Sequence, residues 1–316
     1  MQDQVSYSKE PQFTLKQLKF TPDVQSESPM STPMQLFSCF PTRQNSFLDI
    51  DEVPPGIIYP QAFSTYAIST LRYLYQKEES QQKIQFVLSD KEIRDQLKLL
   101  LRSTIQLQMR DFAANMSITM LLRTLNQPLS NMQLALKIAA IIHIADKYEP
   151  TFTNFTPLID KITTLFGVQA QRIKPQLILE QHDKILDELN YEVEYITLYE
   201  FLTTIIHAGQ LQEVYASLSK YLCFLALTDP YSYTYRPSAL AAACVSISLE
   251  IQQQLPWNSN LSFWTGYTIQ DIYPAIEYLK QLWQDSYYLG QNGKPSHLFQ
   301  VYSHPTKFRV AGIAPK

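Results

Sequence analysis

Leu134 to Pro150 reads LALKIAAIIHIADKYEP. Most of it is small or branched apolar residues with no sustained polar stripe, which at helical period describes a helix wrapped on nearly every side by others. Its end differs in kind: Asp146, Lys147, Tyr148 and Glu149 follow the apolar run directly. An unpaired ammonium in an apolar setting costs on the order of several kcal/mol. Lys147 must therefore either bend out to water or meet a specific partner.

Working outward, the chain reads as helix after helix. YPQAFSTYAISTLRYLY brings Tyr59, Phe63, Tyr66, Leu71 and Leu74 close to one face, with Pro60 where a first helical turn tolerates it. Ser89 followed by Glu92 is a capping box that opens a helix carrying Ile93, Leu97, Leu100 and Leu101. A further helix is predicted from about Asp111 to Leu125, ending before the turn NQPLSN. Beyond the central run come a short helix near Pro157 to Leu165 and one of about four turns in RIKPQLILEQHDKILDELNY. Residue 196 begins a second series, whose middle member, PSALAAACVSISLE, is again Ala-rich with little polar surface. Two central helices, each flanked by amphipathic ones, imply two helical bundles in tandem.

Composition agrees with an all-α protein. The 316 residues are enough for two domains, 45% are hydrophobic and 17% charged, and 7 glycines are few for the tight turns that β-sandwiches need. A net charge of -3 gives no electrostatic reason to expect nucleic acid, whose binding needs basic surface to displace counterions. Cys39, Cys223 and Cys244 are odd in number and widely spaced, so neither a disulfide framework nor a zinc site is indicated. The five histidines lack metal-ligand spacing, and neither a glycine-rich phosphate loop nor a nucleophile elbow is present. We therefore expect no metal, no cofactor and no enzymatic activity of the chain's own. The N-terminus has no signal-peptide core and no apolar run reaches the ~18 residues of a membrane span. Residues 1–56, rich in Pro, Ser and Gln, read as a disordered tail with possible phosphoacceptors at Thr21, Ser28 and Thr32.

With two bundles in hand, the opening stretch resembles the third helix of the cyclin box, whose pattern is Ala-Ser-Lys-(Tyr/Phe)-Glu-Glu. Four more stretches resemble the same family in the same order. IRDQLKLLL is similar to the opening of its first helix, ELNYE to the end of its fifth, RPSALAAACVSISLE to the Pro-Pro-Ser-Leu-Ile-Ala-Ala-Ala run of its second fold, and VYSHPTKFRVAGIAP to the segment closing A- and B-type cyclins. The resemblance covers residues 57 to 315. It implies two five-helix cyclin folds, at 57–194 with a preceding N-terminal helix and at 195–316, in a regulatory subunit of a cyclin-dependent Ser/Thr kinase.

By resemblance, Lys147 and Tyr148 would face the kinase, with Tyr59, Phe63 and Tyr66 of the N-terminal helix packing on it and Ile144, Leu186 and Tyr191 supplying apolar contact. Ungapped alignment from Tyr191 puts His182 where the family has the glutamate that pairs with the lysine; Glu180, two residues away, falls on another face. Ile93, Arg94, Leu97 and Leu100 would correspond to the groove that docks Arg-x-Leu substrates or inhibitors, with Leu100 replacing a tryptophan. The partner implied is a kinase, in a heterodimer, in nucleus and cytoplasm, with no nucleic acid and no membrane. Two alternatives stay open: a cyclin-like scaffold without kinase activation, and a transcription-associated factor using the same tandem fold.

Overall fold

The computed structural model describes residues 67–148, 150, 156–208, 211–253, 255 and 257–315. Among them the secondary structure is helical throughout. The tail, its phosphoacceptors, and Tyr59, Phe63 and Tyr66 lie outside the described residues.

The first helix, α1 (Ala67–Ser80), precedes a five-helix bundle of α2 (Asp90–Gln106), α3 (Asp111–Thr124), α4 (Asn131–Tyr148), α5 (Thr156–Phe166) and α6 (Pro175–Glu188). A second bundle repeats the plan with α7 (Leu198–Ala208), α8 (Glu213–Leu227), α9 (Pro237–Ile251), α10 (Ser259–Thr265) and α11 (Ile269–Gln291). A short α12 (His297–Tyr302) and two 3-10 turns close the chain. The sequence pattern missed α10 and α12, each too short to show a period.

Local chemistry sets where helices start. The Ser89 hydroxyl accepts from the Glu92 amide while the Glu92 carboxylate accepts from the Ser89 amide, completing the predicted capping box of α2. Ser130 and Gln133 make the same exchange before α4, and Thr268 and Asp271 before α11. The Ala-rich helices α4 and α9 take the central position of each bundle. Ala139, Ala140, Ile141, Ile142 and Ala145 of α4, and Ala241 to Val245 of α9, have no solvent exposure. Their small side chains let the surrounding helices approach closely, and the packed apolar surface supplies the stabilisation. Cys223 and Cys244 belong to this core, and burial pushes both thiols up, away from reactive thiolate.

Polar pairs fasten the two bundles together. Arg94 of α2 donates through Nε to Asp229 at 3.0 Å and forms a second, ionic contact with the same carboxylate. Lys220 of α8 meets Asp111 of α3 at 3.1 Å, and Asn115 of α3 donates to Glu200 of α7 at 2.7 Å. The preceding helix α1 is held chiefly by the linker and the second bundle. Tyr75 donates to the Thr265 carbonyl at 2.7 Å, and Gln81, just past the helix, donates to the Ile196 carbonyl at 2.9 Å. Glu78 accepts from the Ser238 amide at 2.7 Å and from its hydroxyl at 2.8 Å, capping the N-terminus of α9 where an anion is favoured.

Candidate functional site

Helices α4 and α6 pack antiparallel, as Lys137 lies beside Glu188 and Lys147 beside His182. Sequence gave no reason to single out Lys137. It is 5% exposed, donates to Glu188 at 3.1 Å and to the Thr124 carbonyl, and is thereby neutralised inside the protein. Burial pulls its pKa below the ordinary lysine value, with Glu188 opposing the shift.

Lys147, at the other end of the helix, is exposed. Among the described residues no carboxylate pairs with it; its polar partner is the imidazole of His182, Nζ to Nε2 at 3.1 Å. His182 is buried, and its Nδ1 lies 2.9 Å from the Asp183 carboxylate. The ring of His143 tilts against it with centroids 5.4 Å apart. Burial and the nearby charge of Lys147 push the pKa of His143 down to about 4, so that ring is neutral at ordinary pH. The structure thus brings His182, and not the exposed Glu180, to the lysine.

Around this charge lies apolar surface. Tyr148, next to Lys147 in the chain, is 56% exposed, and on α6 Leu179 is 42% exposed and Leu186 partly buried; Tyr191, 68% exposed, follows the end of α6 that lies beside Lys137. Leu179, His182, Asp183 and Leu186 share one face of α6 by their i, i+3, i+4, i+7 spacing. Asn190 and Tyr191 turn the chain with φ of 50° and 61°, a left-handed conformation that asparagine tolerates and tyrosine rarely adopts. The Tyr191 amide is held by the Leu186 carbonyl at 2.8 Å, which fixes the exposed ring beside the end of α6.

Three groups of expected site residues need correction. Ile144, expected at the contact surface, is buried in the first bundle because the central helix is covered on that side. Ile93, Leu97 and Leu100, expected to line a docking groove, are 1%, 0% and 0% exposed and form core under α2. Their i, i+4, i+7 spacing is that of a core-facing stripe, which sequence alone does not distinguish from an exposed one. Arg94 is half-exposed and committed to Asp229 of the second bundle, a partner 135 residues away with no local signal. Asp183 and Leu179 were missed, although both stand at helical neighbour positions of His182. Among the described residues, no group of His, Cys, Asp and Glu could hold a metal, and no helix is long and apolar enough to cross a membrane.

Two five-helix bundles in tandem, each around an Ala-rich helix, with a lysine at the exposed end of the first, have counterparts among known proteins. Residues 196–316 match the family model described as cyclin, C-terminal domain. The chain is 26% identical over 273 residues to the G2/mitotic-specific cyclin-B2 of Rana japonica, covering 83% of this chain and 67% of that protein. It is also 26% identical over 230 residues to the cyclin-B2 of Homo sapiens, covering 70% of this chain and 55% of that protein. Against the G2/mitotic-specific cyclin-B1 of Xenopus laevis it is 26% identical over 268 residues, 80% of this chain and 64% of that protein. The matched stretch thus spans between about half and two thirds of the length of these relatives. A viral cyclin from herpesvirus saimiri shares the fold at a TM-score of 0.56 and 17% identity, over 67% of this chain and 96% of that one. By these matches the chain resembles the cyclins over most of its length, with a cyclin C-terminal domain matched at residues 196–316.

Proposed function

We propose that the chain is the regulatory subunit of a cyclin-dependent Ser/Thr kinase, binding it as a heterodimer and favouring its active conformation in cell-cycle control. One observation carries this: Lys147 is exposed, lacks a carboxylate partner among the described residues, and is followed in the chain by the exposed ring of Tyr148. A cation left without its own counter-charge amid exposed aromatic surface suits a surface built for another chain, where a few such residues dominate affinity. Activation needs only differential binding. Moving a kinase from 1:99 to 99:1 in favour of the active form takes about 5.5 kcal/mol of preference. The chemistry stays with the kinase, whose Lys-Glu pair and metal-binding aspartate are aligned when its C-helix is held inward.

Tagged full-length chain recovered from its native lysate should bring down a cyclin-dependent kinase, and adding purified chain to that kinase should raise its peptide phosphorylation. Recovery of the kinase without a rise in activity would favour a scaffold, and recovery of no kinase would reject the reading. Burial of Ile93, Leu97 and Leu100 argues against an Arg-x-Leu groove at that place, so short peptides and Arg-x-Leu substrates should be phosphorylated with similar preference. We place the chain in nucleus and cytoplasm, which imaging of a tagged copy tests.

A further inference from the structure

We propose that Asp183 is a positioning residue, which fixes the tautomer of His182 so that the imidazole accepts a hydrogen bond from Lys147 and aims its ammonium at the partner. The inference rests on the reading of this face as the kinase-binding surface. Its chemistry follows from donor and acceptor inventory. A lysine ammonium has only donors, so at 3.1 Å the Nε2 of His182 must be the acceptor and carry no proton. The proton of the neutral ring then sits on Nδ1, where the Asp183 carboxylate, 2.9 Å away, accepts it. A carboxylate, an imidazole and an ammonium form a relay in which Asp183 acts on Lys147 without touching it.

The arrangement has a consequence that a direct Lys–Glu pair would lack. A proton on Nε2 would take away the acceptor that holds Lys147 and place a second cation against it, so the lysine would be released. Among the described residues, His143 and Lys147 on α4 and Asp183 on its own helix lie against the ring, and Asp146 acts on His143. Burial and the charge of Lys147 hold the pKa of His143 down at about 4, so that ring adds no charge beside His182 at ordinary pH. Binding competence therefore requires an Nε2 on His182 that carries no proton.

The full chain labelled with 15N-histidine gives the test, with the His182 signals assigned by loss in His182→Gln. At pH 7.5 the parent is expected to show the Nδ1–H tautomer and Asp183→Ala the Nε2–H form, with Asp183→Asn retaining Nδ1–H because its carbonyl oxygen still accepts. Against the kinase that the intact chain recovers, Asp183→Ala should weaken affinity roughly three- to tenfold and Asp183→Asn little. An Nε2–H tautomer in the parent, or a tautomer unmoved by Asp183→Ala, overturns the proposal while loss of binding in Lys147→Glu leaves the docking surface standing. Undiminished binding by Lys147→Glu overturns the docking surface and, with it, any use of the relay.

Discussion

Lys137 and Lys147 lie on one helix and meet opposite solutions. Lys137 is sunk between α3, α4 and α6, where Glu188 and a backbone carbonyl satisfy it within the fold. Lys147 stands exposed, held by the imidazole of His182 with no carboxylate paired to it among the described residues. A buried lysine that is satisfied internally contributes to folding and is costly to alter. An exposed one without an ionic partner contributes little to folding and is available to another molecule. The difference separates structure from function along a single helix.

Reversing the buried charge should have the largest effect on stability. Lys137→Glu sets two carboxylates against each other and against the Thr124 carbonyl, and is expected to cost about 3–5 kcal/mol. Thermal melting of the isolated chain should fall by ~10 °C, and a fall under ~3 °C would break the contrast. Arg94→Ala sharpens it between the bundles. Asp229 is left buried but still accepts from Tyr278 at 2.6 Å, so the expected loss is smaller, about 2 kcal/mol by denaturant titration.

The imidazole beside Lys147 gives a pH signature. Unfolded, His143 takes a proton near pH 6.5, whereas folded it does so only at about 4. Between those values the unfolded chain binds more protons, so acid favours unfolding through this residue. Melting between pH 7 and 4.5 should fall less in His143→Gln than in the parent, by about 1 kcal/mol once solvent screening of a half-buried ring is allowed for. The smallest expected change in stability is at Tyr191. Asparagine accepts its left-handed backbone more readily, so Tyr191→Asn should gain up to about 1 kcal/mol while weakening kinase affinity. A loss of stability would make that ring structural.

Much of the fold was legible because periodicity and capping are local. The α4 core, the Ser89–Glu92 box and the second Ala-rich helix are each written in a few consecutive residues. The candidate site was legible only in part. Lys147 and Tyr148 stand out because a charge ending an apolar run demands an explanation, and register from Tyr191 led to His182. Exposure was not readable for Ile93, Leu97 and Leu100, since one apolar stripe fits a groove as well as a core. The pairing of Arg94 with Asp229 joins residues from different bundles, and only tertiary packing brings them together. Asp183 was overlooked because its role passes through its neighbour.

The most direct test is the kinase affinity of Lys147→Glu, measured on full-length chain whose melting temperature lies within ~2 °C of the parent. Loss of affinity by about a hundredfold or more is expected, since a charge-bearing anchor is reversed while the fold persists. Affinity within about threefold of the parent, in a chain that melts normally, would contradict the assignment of this end of α4 to the partner.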